Sequence, residues 1–245
     1  MASPRWKIAI EKALSQYKNQ NAMQVATLDF SSSLGTIPRA RSQIFRDWLE
    51  SPQNPSLPLL LSSTDIRTPK VSQLTASSKA EVVWWIEGTV QQFRIIADIY
   101  LVPQPTHALH AHFLDVLSKS EHGTGLALFK EEDWEARRVA LFKTMSAHMK
   151  ASWCRPTPGS PLKGGQEEAK KWPECVDKPD PDAGKEKYEE AKRNWEMALG
   201  NFALMIIDPI EVDFVDLSSP PDKRTLFTKI SGGEGVQWEE TELVP

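Results

Sequence analysis

Short runs rich in Val, Ile, Thr, Leu and aromatic residues fill both ends of this chain, each closed off by Gly, Pro, Ser or Asn, and the middle follows a different period. Residues 24–30, 38–48, 57–63, 80–86 and 91–102 read as successive antiparallel strands. From Thr106 the apolar spacing becomes helical, with Leu109, Phe113, Val116 and Leu117 on one face. Trp134, Leu141, Phe142, Met145 and Met149 predict a second, longer helix, and residues 185–199 a third laced with Glu/Lys pairs. Strand-like pieces return at 201–208, 211–217, 224–231 and 236–244. Trp6, Ile10, Ala13, Leu14 and Tyr17 place an amphipathic helix ahead of everything else. Strands, then helices, then strands again predict a mainly β chain with flanking helices (α+β), an antiparallel barrel completed by its own C-terminal segment. The interior of so small a barrel is filled by side chains, so a ligand belongs on its rim or against a second subunit.

The 245 residues suit one domain with a sizeable insertion, and residues 152–184, rich in Pro and Gly and without periodicity, are expected to be that surface excursion. With 40% hydrophobic and 25% charged residues the chain is ordinary globular material. A net charge of −4 exerts no general pull on nucleic acid or an anionic membrane, so any bound anion must be held by a local cluster of cations. Cys154 and Cys175 stand alone in the Pro/Gly-rich stretch, without the spacing of a zinc site or a disulfide framework. The N-terminal residues lack the apolar core of a signal peptide and no window is apolar enough for a membrane span, so the expected location is cytoplasmic.

The densest cluster of candidate binding residues lies between Arg39 and Arg94. In IPRARSQIFRDW the two-residue period puts Arg39, Arg41 and Gln43 on one strand face and Arg46 on the other unless a bulge intervenes. LLLSSTDIRTPK delivers Ser63, Thr64, Arg67, Thr68 and Lys70 where a strand ends and a helix begins, with Thr68-Pro69 as the helix-start signature. Hydroxyls, first-turn amides and cations in that order suit a phosphate, with Arg67 and Lys70 expected to face solvent. VQQFRIIADIYL adds Gln92 and Arg94 on one face. These residues read equally as the solvated face of a half-exposed sheet, and composition leaves both readings open.

The order ATLDF, GTIPRARSQIFRDW, LPLLLSSTDIRTPK, AEVVWWIEGTVQQFRIIADIYLV resembles the N-terminal half of the pyridoxamine 5′-phosphate oxidase-like proteins, whose fold is an FMN-binding split β-barrel. The resemblance covers residues 5–102 and resumes weakly at FALMIIDPIEVDFVDL and WEETELVP; the paired Trp84-Trp85 is similar to a branch found in cyanobacteria, plants and fungi. It implies FMN as cofactor and a homodimer. It assigns Arg41, Ser63, Thr64, Arg67, Thr68 and Lys70 to the ribityl-phosphate and Arg46 and Gln92 to the neighbourhood of the ring. The vitamin B6 oxidase ends in an Arg-x-His element that grips substrate. Here that stretch is SSPPDKRT, which leaves Arg224 as the surviving flavin or phosphate contact and implies a different substrate. The flavin-lining Trp of the family falls near Phe214 or Val215, and Lys150 and Ser152 stand near an Arg/Ser element of the branch. Elsewhere, His107 and His110 share a helix face without a carboxylate or Cys at metal-ligand spacing, and KGGQ lacks the ending of a P-loop. The expectation is therefore an FMN-dependent oxidoreductase acting on a small molecule of unknown, non-B6 identity. The alternative is a module that holds flavin or another ring cofactor for storage, sensing or partner contact, without turnover.

Overall fold

The computed structural model describes residues 2–121, 123–232 and 235–245. After helix α1 (Arg5–Gln16) come strands β1 (Ala22–Asp29), β2 (Ile37–Ile44), β3 (Asp47–Ser51) and β4 (Asn54–Asp65), helix α2 (Pro69–Ala76), and strands β5 (Lys79–Ile86) and β6 (Gln91–Val102). The middle holds α3 (Leu109–Lys119), α4 (Trp134–Thr144), α5 (Ala147–Ser152), α6 (Gly165–Ala169) and α7 (Lys185–Asn201). The chain closes with β7 (Phe202–Asp216), β8 (Lys223–Gly232) and β9 (Gly235–Leu243). All pairings are antiparallel, in the order β2-β1-β5-β6-β7-β4-β3, with β8 added on β7 and β9 on β8. The sheet curls on itself without closing, a split barrel.

Alternation sorts the residues. Met23 and Val25 of β1, Val82 and Trp84 of β5, and Phe93, Ile95 and Ala97 of β6 fill the barrel interior with Leu60, Met205 and Val212. Trp6 and Ile10 of α1, both fully buried, plug one end of it. The opposite face of β4 and β7 supplies Leu59, Leu61, Leu204 and Ile206 to a second core under Phe113 of α3 and Trp134 of α4.

Several departures from the sequence expectation have local causes. The strand predicted over 38–48 is two strands. At Phe45 the amide still reaches Asn21 O, and one residue later Arg46 N donates to Leu61 O, so the chain changes partner from the β1 side to β4. The two strands predicted at 201–208 and 211–217 are one, β7, with a register shift at Ile210, next to Pro209 and opposite Ile96 and Ala97. The long helix predicted to reach Met149 stops at Thr144, because Ser146 caps a new helix by accepting from Met149 N. The excursion at 152–184 is anchored at its ends: Trp153 and Val176 are buried with Phe142, Ala198 and Phe202. Arg138, 1% exposed, ties α4 to that region by donating to the carbonyls of Leu199 and Phe202 and to Glu135.

Candidate functional site

The inward-facing rows of β1, β2 and β4 turn polar at the end of the barrel beside α2. Arg41 on β2 donates to Thr27 Oγ1 at 2.6 Å and to Gln73 Oε1 at 2.8 Å, and reaches Val25 O at 3.2 Å. Thr27 in turn donates to Gln73, so α2 and β1 hold the guanidinium between them. Lys70, in the first turn of α2, donates to Thr64 Oγ1 at 2.8 Å and to Thr68 Oγ1 at 3.3 Å. The Gln43 amide, oriented to satisfy both neighbours, donates to Ser63 O and accepts from Lys70 Nζ at 3.2 Å. At the start of α2, Pro69 has no amide proton and the Val71 amide donates to Thr68 O at 3.0 Å.

Electrostatically the cradle is short of negative charge. Neither Arg41 nor Lys70 pairs with a carboxylate among the described residues. The nearby Asp65 is committed to Arg67, and Asp29 to the exposed Arg39. Burial, and then the charge of Arg41, push Lys70 down to about 8 against an opposing pull from Asp65. Burial and then the Arg39 charge also lower Arg41. Arg46 follows the same direction from burial, and its Nε is buried with no partner among the described residues. Cations held out of water without counterions are what a phosphate would relieve, and the hydroxyls of Thr64 and Thr68 stand beside them, so the residues fit an FMN phosphate.

Of the residues predicted for the phosphate, Arg41, Thr64, Thr68 and Lys70 come together. Ser63 does not, because β4 alternates and its side chain falls on the face opposite Thr64. Arg67 and Lys70 also depart from the solvent-facing expectation. Lys70 is half-buried, and Arg67 clasps Asp65 through Nε at 2.9 Å and Nη2 at 2.6 Å while donating to Arg155 O and Trp153 O. That clasp binds the start of α2 to the segment after α5. Thr27 and Gln73, which orient Arg41, carry no sequence signal of their own, since each is an ordinary polar residue on its element.

The remaining predicted residues form a second group on the outer face. Phe93 points inward and stacks on Phe214, centroids 4.5 Å apart, so Gln92 and Arg94 face outward. Strand register puts Gln92, Val215 and Arg224 in one row across β6, β7 and β8. This makes Val215, rather than the buried-side Phe214, the position that shares the face of Gln92. Arg94 and Arg224 both bind Asp213, at 2.5 and 2.8 Å, a carboxylate the sequence did not flag. Thr64 pairs with Ala203 at the start of β7, whereas Gln92 pairs with Val215 near its end. The cradle and the outer row therefore lie on opposite faces of one sheet. Lys150 is buried against the rings of Phe142 and Trp195 and serves the fold instead. His110 Nδ1 is buried without a partner, and no metal-ligating cluster occurs among the described residues.

Residues 3–103 match the family model described as pyridoxamine 5′-phosphate oxidase, FMN-binding domain. Over 238 residues the chain is 23% identical to the pyridoxine/pyridoxamine 5′-phosphate oxidase 2 of Arabidopsis thaliana, covering 97% of this chain and 93% of that protein. Among solved structures, a pyridoxamine 5′-phosphate oxidase-related FMN-binding protein from Nostoc punctiforme superposes with a TM-score of 0.67 at 22% identity, over 100% of both chains. PhzG from Burkholderia lata 383, solved with tetrahydrophenazine-1-carboxylic acid, gives a TM-score of 0.56 at 16% identity over 100% of this chain and 94% of its own. At these identities the structural likeness speaks to the fold, and the sequence match to the FMN-binding domain.

Proposed function

Since residues 3–103 match the FMN-binding domain of pyridoxamine 5′-phosphate oxidase, we propose that the whole chain is an FMN-dependent oxidoreductase that works as a cytoplasmic homodimer on a small molecule other than a B6 phosphate. The observation that carries the cofactor's place is the cradle, where Arg41 and Lys70 are half-buried and pair with no carboxylate among the described residues. Arg41 and Lys70 would bind the phosphate with Thr64 and Thr68, while Thr27 and Gln73 keep the Arg41 guanidinium in place. Arg67 contributes by fixing the turn that carries Thr68 and Lys70, and the Ser63 hydroxyl lies outside this set. When bound, FMN supplies hydride or single-electron transfer, and the protein supplies position and charge.

The two faces of the sheet support the dimer reading. A flavin seated at the inward-facing cradle of one chain cannot also meet that chain's outward row of Gln92, Val215 and Arg224 without passing around the sheet. A second copy presenting its outer face completes the site. Trp85 and Ile96, exposed on that same face, supply apolar contact area for such packing. Arg46, with its unpartnered buried Nε, is assigned to the ring side of the site.

A reading as a flavin-holding module without turnover draws on one feature. The cradle's polar groups are Arg, Lys, Thr and Gln, with no carboxylate, His or Cys bonded among them to serve as acid or base. The two readings separate in one series of measurements. Purified protein is mixed with FMN, passed through gel filtration with light scattering, then cycled with NAD(P)H and air. Flavin absorbance eluting at dimer mass with repeated reduction and reoxidation supports the enzyme. Bound flavin that never cycles supports the module, and a colourless protein after micromolar FMN removes both.

A further inference from the structure

On the far side of the Arg67 clasp, the segment after α5 folds back to border a cavity of about 950 Å³, open to solvent on one side, between residues 152–172 and the β4–α2 turn. Trp153, Trp172 and Pro156 give it flat apolar walls, and Arg67, Arg155 and Lys163 line it as well. Two carboxylates also reach it, but each is already neutralised, Asp65 by Arg67 at 2.6 Å and Glu168 by Lys171 at 2.7 Å. Arg155 and Lys163 are different. Their side chains make no hydrogen bond or ion pair among the described residues, and Arg155 Nε is buried without an acceptor. A buried guanidinium nitrogen that has lost water and gained nothing is an unfavourable arrangement unless a ligand supplies the acceptor. Mostly apolar walls with a few fixed polar groups are the usual make-up of small-molecule sites.

We propose that this cavity is a binding site for a small molecule with a flat apolar body and one anionic group, a carboxylate, sulfonate or phosphate. The anion lies at Arg155, supported by the Lys163 charge, and the body lies against Trp172 and the Pro156 wall. A planar guanidinium binds such oxyanions in bidentate fashion, and an aromatic wall accepts a flat ring in offset or edge contact. The site is distinct from the FMN cradle. Lys70, Thr64 and Thr68 do not line the cavity, and the guanidinium of Arg67, which does, is occupied by Asp65 and by the carbonyls of Trp153 and Arg155. Arg67 thereby joins the cavity wall to the start of α2, so a ligand here sits one hydrogen-bonded turn from the cofactor's phosphate residues.

The test is calorimetric titration of the full chain with 2-naphthoate and, in parallel, with the uncharged 2-naphthalenemethanol. Both are repeated with FMN present, on the wild type and on Arg155→Gln and Trp172→Ala. The wild type should bind the carboxylate roughly tenfold more tightly than the alcohol, the low end for a charge-assisted hydrogen bond. Arg155→Gln should erase that difference with melting temperature and FMN affinity unchanged, because the side chain holds nothing else in place. Trp172→Ala should weaken both ligands together. Equal binding of acid and alcohol, no binding of either, or an undiminished preference in Arg155→Gln would overturn the proposal. Displacement of naphthoate by FMN would overturn it too, by giving the cavity to the cofactor. A failure of the flavin reading shows separately, in the FMN titration of the same samples.

Discussion

Replacing Lys70 with methionine should stabilise the protein without cofactor and weaken FMN binding, opposite signs from one substitution. Lys70 is held down from the ordinary 10.5 to about 8, chiefly by burial and next by the Arg41 charge. At about 1.4 kcal/mol per unit the depression corresponds to an upper bound of about 3.5 kcal/mol of penalty on the charged form in the folded state. The side chain is only half-buried, and water reduces this to on the order of 1–2 kcal/mol. Methionine keeps the apolar stem and removes the charge, while the hydroxyls of Thr64 and Thr68 can still bond each other, 3.4 Å apart. The expected gain is about 1 kcal/mol, a rise in melting temperature of roughly 2–4 °C for a chain of this size. Against FMN the same change removes a charge-assisted contact, about 1.5–3 kcal/mol or roughly ten- to a hundredfold in Kd. pH supplies the internal control. Below about 8 Lys70 is charged in both folded and unfolded chains and the penalty is fully present; between about 8 and 10.5 the folded form loses its proton first. The unfolded chain binds more protons in that window, so this contribution to stability rises with pH. FMN affinity should move the other way, falling as pH climbs past about 8 because a neutral Lys70 no longer attracts the phosphate, and Lys70→Met should flatten both profiles. Thermal melts and flavin fluorescence titrations at several pH values decide it. A variant that melts lower and binds FMN as tightly as the wild type would refute the assignment of Lys70 to the phosphate.

Asp65→Asn should free Arg67 from its clasp and loosen residues 152–184, seen as faster proteolytic cleavage there and a loss of roughly 2–3 kcal/mol in urea unfolding; unchanged cleavage would mean the clasp does not anchor that segment. Arg138→Met should cost about 3 kcal/mol, because it strands the carbonyls of Leu199 and Phe202 in a buried site, and a loss under 1 kcal/mol would show that water or relaxation satisfies them. Ile96→Glu, at a position 42% exposed on the outer face, should leave the melting curve nearly unchanged yet shift light scattering from dimer to monomer and weaken FMN. A dimeric Ile96→Glu protein with full flavin affinity would place the subunit contact elsewhere.

Strand alternation, helical spacing and breaker residues specify this fold locally, and for that reason they were legible. The period-2 run from Gln91 to Val102 folds as read, as do α1 and the Thr68-Pro69 helix start of α2. The break at Phe45–Arg46 was not legible, because it marks a change of strand partner, and no local preference reports which neighbour an amide will find. Likewise Pro209 looked like a boundary, yet it pairs with Ala97 inside β7 and the register shift falls at Ile210, because pairing with β6 on both sides outweighs one missing donor.

The candidate site divides along the same line. The amino-acid sequence by itself determined that hydroxyls and cations gather where β4 gives way to α2, and that Gln92 and Arg94 share one strand face, because both depend on neighbours in the chain and on the period of the backbone. Only the tertiary structure decided that Arg41 is gripped by Thr27 and Gln73, that Arg67 serves Asp65 and two carbonyls, and that Arg94 and Arg224 share Asp213. Whether a charged side chain is available to a ligand depends on which oxygen another element brings within 3 Å, and that is a property of packing between segments far apart in the chain.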